Sequence, residues 1–420
     1  MSRAFNDYLV ALSTAVAGRD GAQLKRLLNI NDSAVLQAVS ERARSQPGWN
    51  PAAAVRQQLQ QLQQQRQSLS GTPWEELFPA HVAALSALLE RKLGEAYTHI
   101  VASVQPFIKA FREDTDAWLI EPMYVMVHNV RLLACQADDE ATRLGHKSDA
   151  LENCGTQLQK CFSAAVQGAG NKNKKLATLE IIITLFKVYF RLNTLRLCKN
   201  LINAVNSRQF LPFGDFPASQ RVTYKYYTGR LAIFDENYDL AASDLSYAFE
   251  HCHRSAAANK ARCAYYLIPV KMLLGELPQQ AMLDKYGLHD YSPIVKAMKE
   301  GSVEGLDRCL QEHQIRFIQA GTYLLLEKLK NSVYRRLFRR VALLHKEQEP
   351  AKAAHVPLGR FQVALASQGV EMEMDEVECI VANLIFRKFI KGYVSHQHRV
   401  AVLSKADPFP PLCTATLTDP

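Results

Sequence analysis

The chain has 420 residues, enough for two or three domains with a sizeable core. Apolar residues make up 48% and charged residues 22%, an ordinary globular balance, and no run of eighteen apolar residues is present to span a membrane. The net charge of +9 is unevenly placed: residues 328–405 hold fourteen Lys/Arg against seven Asp/Glu, a net +7, which points to a polyanion or an acidic protein as partner.

The N-terminus, "MSRAFNDYLVALSTAVAGRDG", is apolar at helical spacing but carries Asp7 and lacks the uninterrupted apolar core of a secretory signal, so the protein is expected to stay inside the cell. Nine cysteines are scattered without a CxxC, which reads as reduced, buried thiols in the cytosol or nucleus. Residues 1–73 read as an N-terminal helical segment ending in "QQLQQLQQQRQSLSG", a Gln-rich stretch that fits either a solvated helix or a linker.

Residues 74–326 show helical spacing throughout, as in "HVAALSALLERKLGEAYTHIVASVQPFIKAF", with polar breaks near 168–175 and 206–219. Two segments 44 residues apart, "FRLNTLRLCKNLINA" (190–204) and "FDENYDLAASDLSYA" (234–248), match in Phe, Asn, Leu and Ala. Gly229, Tyr238, Ala241 and Ala248 fall where tetratricopeptide-like repeats place small residues and one aromatic. Small residues let antiparallel helices approach closely, and the stacked product is a solenoid. The predicted class is therefore all-α dominated: a TPR-like helical-repeat solenoid.

Residues 327–406 change pattern. After a basic helix come a short strand at 355–357, a helix stopped by Gly369, and a helix opened by the D-x-x-E signal of Asp375 and Glu378 and running through Arg387. Its stripe is Val377, Ile380, Val381, Leu384 and Ile385. Strands around Tyr393-Val394 and at 400–403 flank "SHQHR". Helix, strand, helix, helix, hairpin is the order of a winged helix. Residues 407–420 are a Pro-rich tail.

A helical solenoid running into a winged helix resembles the PCI-domain family, named for subunits of the proteasome lid, the signalosome and an initiation factor. "VANLIFRKFIKGYVS" is similar to the family's closing helix-into-strand element. "QRVTYKYYTGR", "FEHCHRS", "LIPVKMLLG", "LEKLK", "GYVSHQH" and "PFPPL" resemble the branch serving a nuclear transcription-and-export complex, specifically from about residue 180 to 412 and weakly over the first 150. The resemblance implies a non-enzymatic scaffold or adaptor subunit in the nucleus, associated with the nuclear pore through its complex. It implies two protein partners, a large PCI-like scaffold subunit and a small acidic disordered subunit. It also implies RNA or DNA bound on adjacent winged helices, and no cofactor. The alternative is a PCI scaffold subunit of a lid-like or signalosome-like assembly that binds no nucleic acid.

"KLKNSVYRRLFRRVALLHK" (328–346) holds seven Lys/Arg and no acid. At 100° per residue from Arg335, Arg336, Arg339 and Arg340 fall near 100°, 40° and 140°, while Lys328 and Lys346 fall near 20°. Tyr334, Leu337, Phe338, Val341 and Leu344 occupy the opposite face. Charged helix faces are usually solvated, but they mix signs; Arg335/Arg339 and Arg336/Arg340 are like-charge i,i+4 pairs, which favours anions supplied from outside. Arg387, Lys388, Lys391, His396, His398 and Arg399 form a second set at the last helix and wing, with His396 and His398 placed to share a face. The helix that would enter a major groove opens "MDEVE", the wrong sign for bases and phosphates, so binding is expected to be sequence-tolerant and salt-dependent. Replacing Arg335, Arg336, Arg339 and Arg340 with Glu is expected to abolish it while leaving the fold intact.

Other groups carry less. His251-Cys252-His253 point about 100° apart on a helix and have no second ligand pair, so no metal is expected. Tyr224, Tyr226 and Tyr227 at helical spacing read as groove packing before a stacking platform. "GNKNKK" (170–175) reads as a solvated turn before a nuclear-import signal. No Walker loop, GxGxxG, HExxH or GxSxG is present, so no catalytic residue is assigned.

Overall fold

A computed structural model describes residues 3–46, 48–63, 71–168, 171–207 and 210–412. Among the described residues helices dominate, with three short strands between His355 and Leu403. The chain divides into two compact units, 1–224 and 225–420.

In the first unit, the helices Trp74–Leu89 and Thr178–Arg191 are buried on nearly all sides, as their apolar composition demands. The helical pattern of residues 81–111 is three helices rather than one. It breaks at Arg91, which takes a left-handed φ of 59°, and again at Ser103. The Gln-rich stretch is helical to Gln63, with Val55 and Leu59 buried, and its continuation from 64 to 70 lies outside the described residues. Of "GNKNKK", Lys172 and Asn173 are exposed, as a solvated turn would have them, but the stretch is a 3-10 helix from Lys172 and does not expose all of its lysines. Lys174 is buried and donates to the Arg112 carbonyl at 3.2 Å, its ammonium 5.5 Å from the Phe111 ring.

In the second unit, the repeat reading rests on a close helix approach. A Cβ on Gly229 would lie 2.7 Å from Leu245 Cγ and 3.1 Å from the Leu245 amide nitrogen, so only glycine admits the helix Tyr238–His251 at this distance. Tyr238, Ala241 and Ala248 are buried beside it. Asp244, also buried, accepts from Lys225 Nζ and Thr228 Oγ1, both at 2.5 Å, so the crossing is polar-satisfied as well as tight.

One core runs from Ala232 to Leu403 and takes in the winged helix. There, β1 (His355–Pro357), β2 (Gly392–Ser395) and β3 (Val400–Leu403) form an antiparallel sheet in the order β1-β3-β2, with Val356 opposite Ala401 and Tyr393 opposite Val402. Between β1 and β2 stand the helices Leu358–Ala366 and Met374–Phe386. Phe338 of the basic helix Leu329–Gln348 meets Phe361 at 4.5 Å and ties that helix to the winged helix.

The helix Met374–Phe386 has its N-cap two residues earlier than its D-x-x-E signal suggests. Its capping box is Glu373 with Glu376, which leaves Asp375 and Glu378 for other partners. Val377, Val381 and Leu384 are buried; Ile380 and Ile385 pack at the core's edge. Cys379 is exposed, unlike the other described cysteines.

Candidate nucleic-acid interface

The basic helix buries Leu329, Val333, Tyr334, Leu337, Phe338, Ala342 and His345. Leu344, expected on that face, is 57% exposed, beside Leu343 at 50%; His345 takes the inward position instead. This leaves Arg335, Arg336, Arg339, Arg340 and Lys346 toward one side, but their situations differ.

Arg335 is half-buried and donates from Nη2 to two carbonyls of the tail, Phe409 at 2.9 Å and Pro410 at 2.6 Å. Burial, with Arg339 and Arg336 alongside, lowers its pKa from the usual guanidinium value. Arg336 donates from Nε to the Lys299 carbonyl at 3.2 Å, and Arg340 from Nη1 to the Glu300 carbonyl at 2.7 Å. Those are the last carbonyls of the helix Tyr291–Glu300, which ends on left-handed Gly301. A helix C-terminus presents partial negative charge and unpaired carbonyls, so two arginines there are stabilised from within the chain. The like-charge run is therefore answered partly by internal acceptors, and an external anion is not needed to account for Arg335, Arg336 or Arg340. For the same reason, replacing all four arginines is expected to cost stability, where the sequence pattern suggested an intact fold.

Arg339 and Lys346 are exposed and make no hydrogen bond or ion pair with another described residue. Lys328 turns away from them: it pairs with Glu236 at 2.6 Å, 5.9 Å from the Tyr238 ring, at the edge of an apolar opening of about 410 Å³ among Phe234, Ile318, Tyr323 and Leu324.

The second set is paired with carboxylates in part. Arg399 donates to Asp375 and, at 3.0 Å, to Glu378, and His396 Nδ1 sits 2.8 Å from Glu378. The hydrogen bond from Arg399 holds the Asp375 carboxyl below its usual range and raises the guanidinium in turn. The acids at the head of the reading helix thus clamp the wing. His396 and His398 lie in the turn between β2 and β3, where strand alternation does not apply; both are exposed. Lys391 pairs with Asp407 at 3.6 Å while its amide donates to the Pro408 carbonyl at 2.8 Å. Lys388 is exposed and left-handed at φ 64°, and Arg387 is half-buried.

Lys405, which the sequence reading passed over, joins Arg339 and Lys346 around a cleft of about 420 Å³. Its walls are Ala342, Leu343, Ala353, Ala354, Leu403 and Phe409. No local signal marks Lys405: only the turn after β3, which brings residues 404–409 back beside the basic helix, puts it there.

The discounted groups stay apart. His251 stacks on Tyr247 at 4.0 Å, Cys252 is buried and His253 faces Ser255 at 2.6 Å. No cluster of three His, Cys, Asp or Glu that could hold a metal occurs among the described residues. Tyr226 packs on Tyr266 and Tyr227, and Arg230 lies 4.3 Å over the Tyr266 ring, so these rings are occupied within the unit. Tyr224 is buried in the first unit against Phe186.

The PCI domain signature matches residues 310–405. Similar proteins include PCI domain-containing protein 2 of Xenopus laevis, 38% identical over 92% of this chain and 100% of its own length. The protein of the same name in Danio rerio is 37% identical over 97% of this chain and 98% of its own. Enhanced ethylene response protein 5 of Arabidopsis thaliana is 35% identical over 98% and 96%. These matches reach well into the first 150 residues, where the sequence motifs alone carry only a weak likeness.

Proposed function

Since the chain belongs to the PCI-domain family, with relatives named PCI domain-containing protein 2 that it matches along nearly their whole length, we propose that it is a non-enzymatic adaptor subunit of a nuclear complex coupling transcription to mRNA export. In this reading it joins a large PCI-like scaffold subunit and a small acidic disordered subunit, reaches the nuclear pore through that complex, and holds RNA or DNA without reading sequence. The observation that carries the nucleic-acid part is the set of exposed cations beside the winged helix, Arg339, Lys346 and Lys405, around one cleft, with no partner among the described residues. Phosphates neutralised there release counterions, so affinity should fall steeply with salt.

The second reading, a PCI subunit whose winged helix only packs against other subunits, draws on a different observation. Asp375 and Glu378 already occupy Arg399 and His396, and the tail carbonyls occupy Arg335. An electrophoretic shift with purified protein at several salt concentrations separates the two. Retention at low salt that is lost in Arg339→Glu/Lys346→Glu supports the first; no retention at any salt leaves the second.

A further inference from the structure

We infer that the cleft between the basic helix and residues 403–409 receives an unstacked base of a single-stranded nucleic acid, with the neighbouring phosphates on Arg339, Lys346 and Lys405. This rests on the nucleic-acid reading above and narrows its ligand.

The cleft has two kinds of surface. Its rim is cationic, with Leu343 beside it, and its interior is formed by Ala342, Ala353, Leu403 and Phe409. Asp407 is the one carboxylate in its lining, and Lys391 holds it at 3.6 Å. A duplex keeps its bases stacked and offers a protein mainly phosphate and sugar, so it would engage the rim and leave the apolar interior empty. A single strand offers both, because its bases can be splayed out against apolar or aromatic side chains while the backbone follows the cations. The volume, about 420 Å³, is in the range of pockets that enclose small organic groups.

The element a winged helix would otherwise use on a duplex points the same way. The helix Met374–Phe386 opens with Asp375 and Glu376 exposed and with Glu378 tied to the wing. Those carboxylates repel a phosphate backbone entering along that helix. Leu343 supplies a second sign: it is 50% exposed at the cleft's lip, an apolar side chain left in water between two cations. Apolar surface flanked by phosphate-binding groups suits the π-face of a base.

The test uses the full chain and fluorescent 12-mers: an oligo-dT strand, a blunt duplex of the same length, and a strand carrying abasic sites. Leu343→Asn removes apolar surface without changing charge and, being at an exposed position, should leave the melting curve unchanged. The expected result is that the strand binds more tightly than the duplex and the abasic strand. Leu343→Asn should weaken the normal strand by roughly fivefold or more, the scale of one lost base contact, and leave the abasic strand and duplex unaffected. Equal binding of normal and abasic strands, or an unchanged strand affinity in Leu343→Asn, overturns the inference while the salt-dependent reading stands. A polyglutamate peptide that displaces the strand and loses affinity in Leu343→Asn also overturns it, by making the cleft a peptide site. Oligonucleotide binding that is indifferent to Arg339→Glu/Lys346→Glu removes the underlying reading instead.

Discussion

Arg335 and Arg339 are one helical turn apart and look alike in sequence, yet they should respond oppositely to substitution. Arg335→Met keeps the stem and removes the guanidinium. Two hydrogen bonds from a charged donor are lost, to Phe409 and Pro410 carbonyls at 2.9 and 2.6 Å. Such bonds contribute about 1.5–3 kcal/mol each before the donor's own costs are subtracted. Those costs are present here, since burial and the charges of Arg339 and Arg336 both disfavour the Arg335 cation. A net loss of about 2 kcal/mol is expected, or about 4–8 °C for a unit of this size. Arg339→Glu, exposed and uncommitted, should move stability by no more than about 0.5 kcal/mol. All three tryptophans, Trp49, Trp74 and Trp118, lie in the first unit, so tryptophan emission follows that unit alone and far-UV circular dichroism follows both. The Arg335→Met shift should appear in the dichroism melt and be missing from the emission melt. Equal stability of Arg335→Met and wild type, or an Arg339→Glu loss as large, would refute the assignment of one arginine to the tail and the other to solvent.

Asp375→Asn with Glu378→Gln should release Arg399 and His396 from their clamp; oligonucleotide affinity is expected to rise and the salt slope to steepen by about one charge, read from binding at four salt concentrations. Gly229→Val would drive a side chain into Leu245 and its backbone, costing about 1–3 kcal/mol in the dichroism melt, whereas a change within about 0.5 kcal/mol would mean the helices do not cross this closely. Burial pulls the His81 imidazole down from 6.5 to about 4. The unfolded chain therefore binds the proton more readily between those values, and the first unit should lose up to about 3 kcal/mol as pH falls from 6.5 toward 4. His81→Gln should flatten that part of the tryptophan-emission stability profile.

Much of the architecture is legible in the residues because period and punctuation are local. The alternation along residues 400–403 and the polar turn before them give the hairpin, and Gly229, Tyr238, Ala241 and Ala248 give the helix crossing. The site is legible only in part, because charge is a local property and its neutralisation is not. Nothing near Arg399 announces Asp375, 24 residues away, and nothing near Arg335 announces carbonyls 74 and 75 residues on. The misplaced cap shows the same limit at short range: Asp375 and Glu378 have the right spacing for a helix start, but Glu373 with Glu376 has it too, and the wing takes the acids left over.

A run of arginines on one helix invites an external polyanion because nothing acidic stands beside it in sequence. The structure supplies another kind of negative end, the carbonyls of Lys299 and Glu300 where a neighbouring helix stops on Gly301. A backbone carbonyl carries no formal charge, so it accepts from arginine without cancelling it. Arg336 and Arg340 are thus positioned by the fold and remain positive toward solvent, whereas Arg399 keeps its proton but has its charge offset by the carboxylates it pairs with. This difference is why the field around the cleft can persist although Arg335, Arg336 and Arg340 are all engaged within the chain. It also separates two outcomes of mutation: loss of a carbonyl-bound arginine should weaken fold and anion binding together, while loss of Arg339, Lys346 or Lys405 should weaken binding alone.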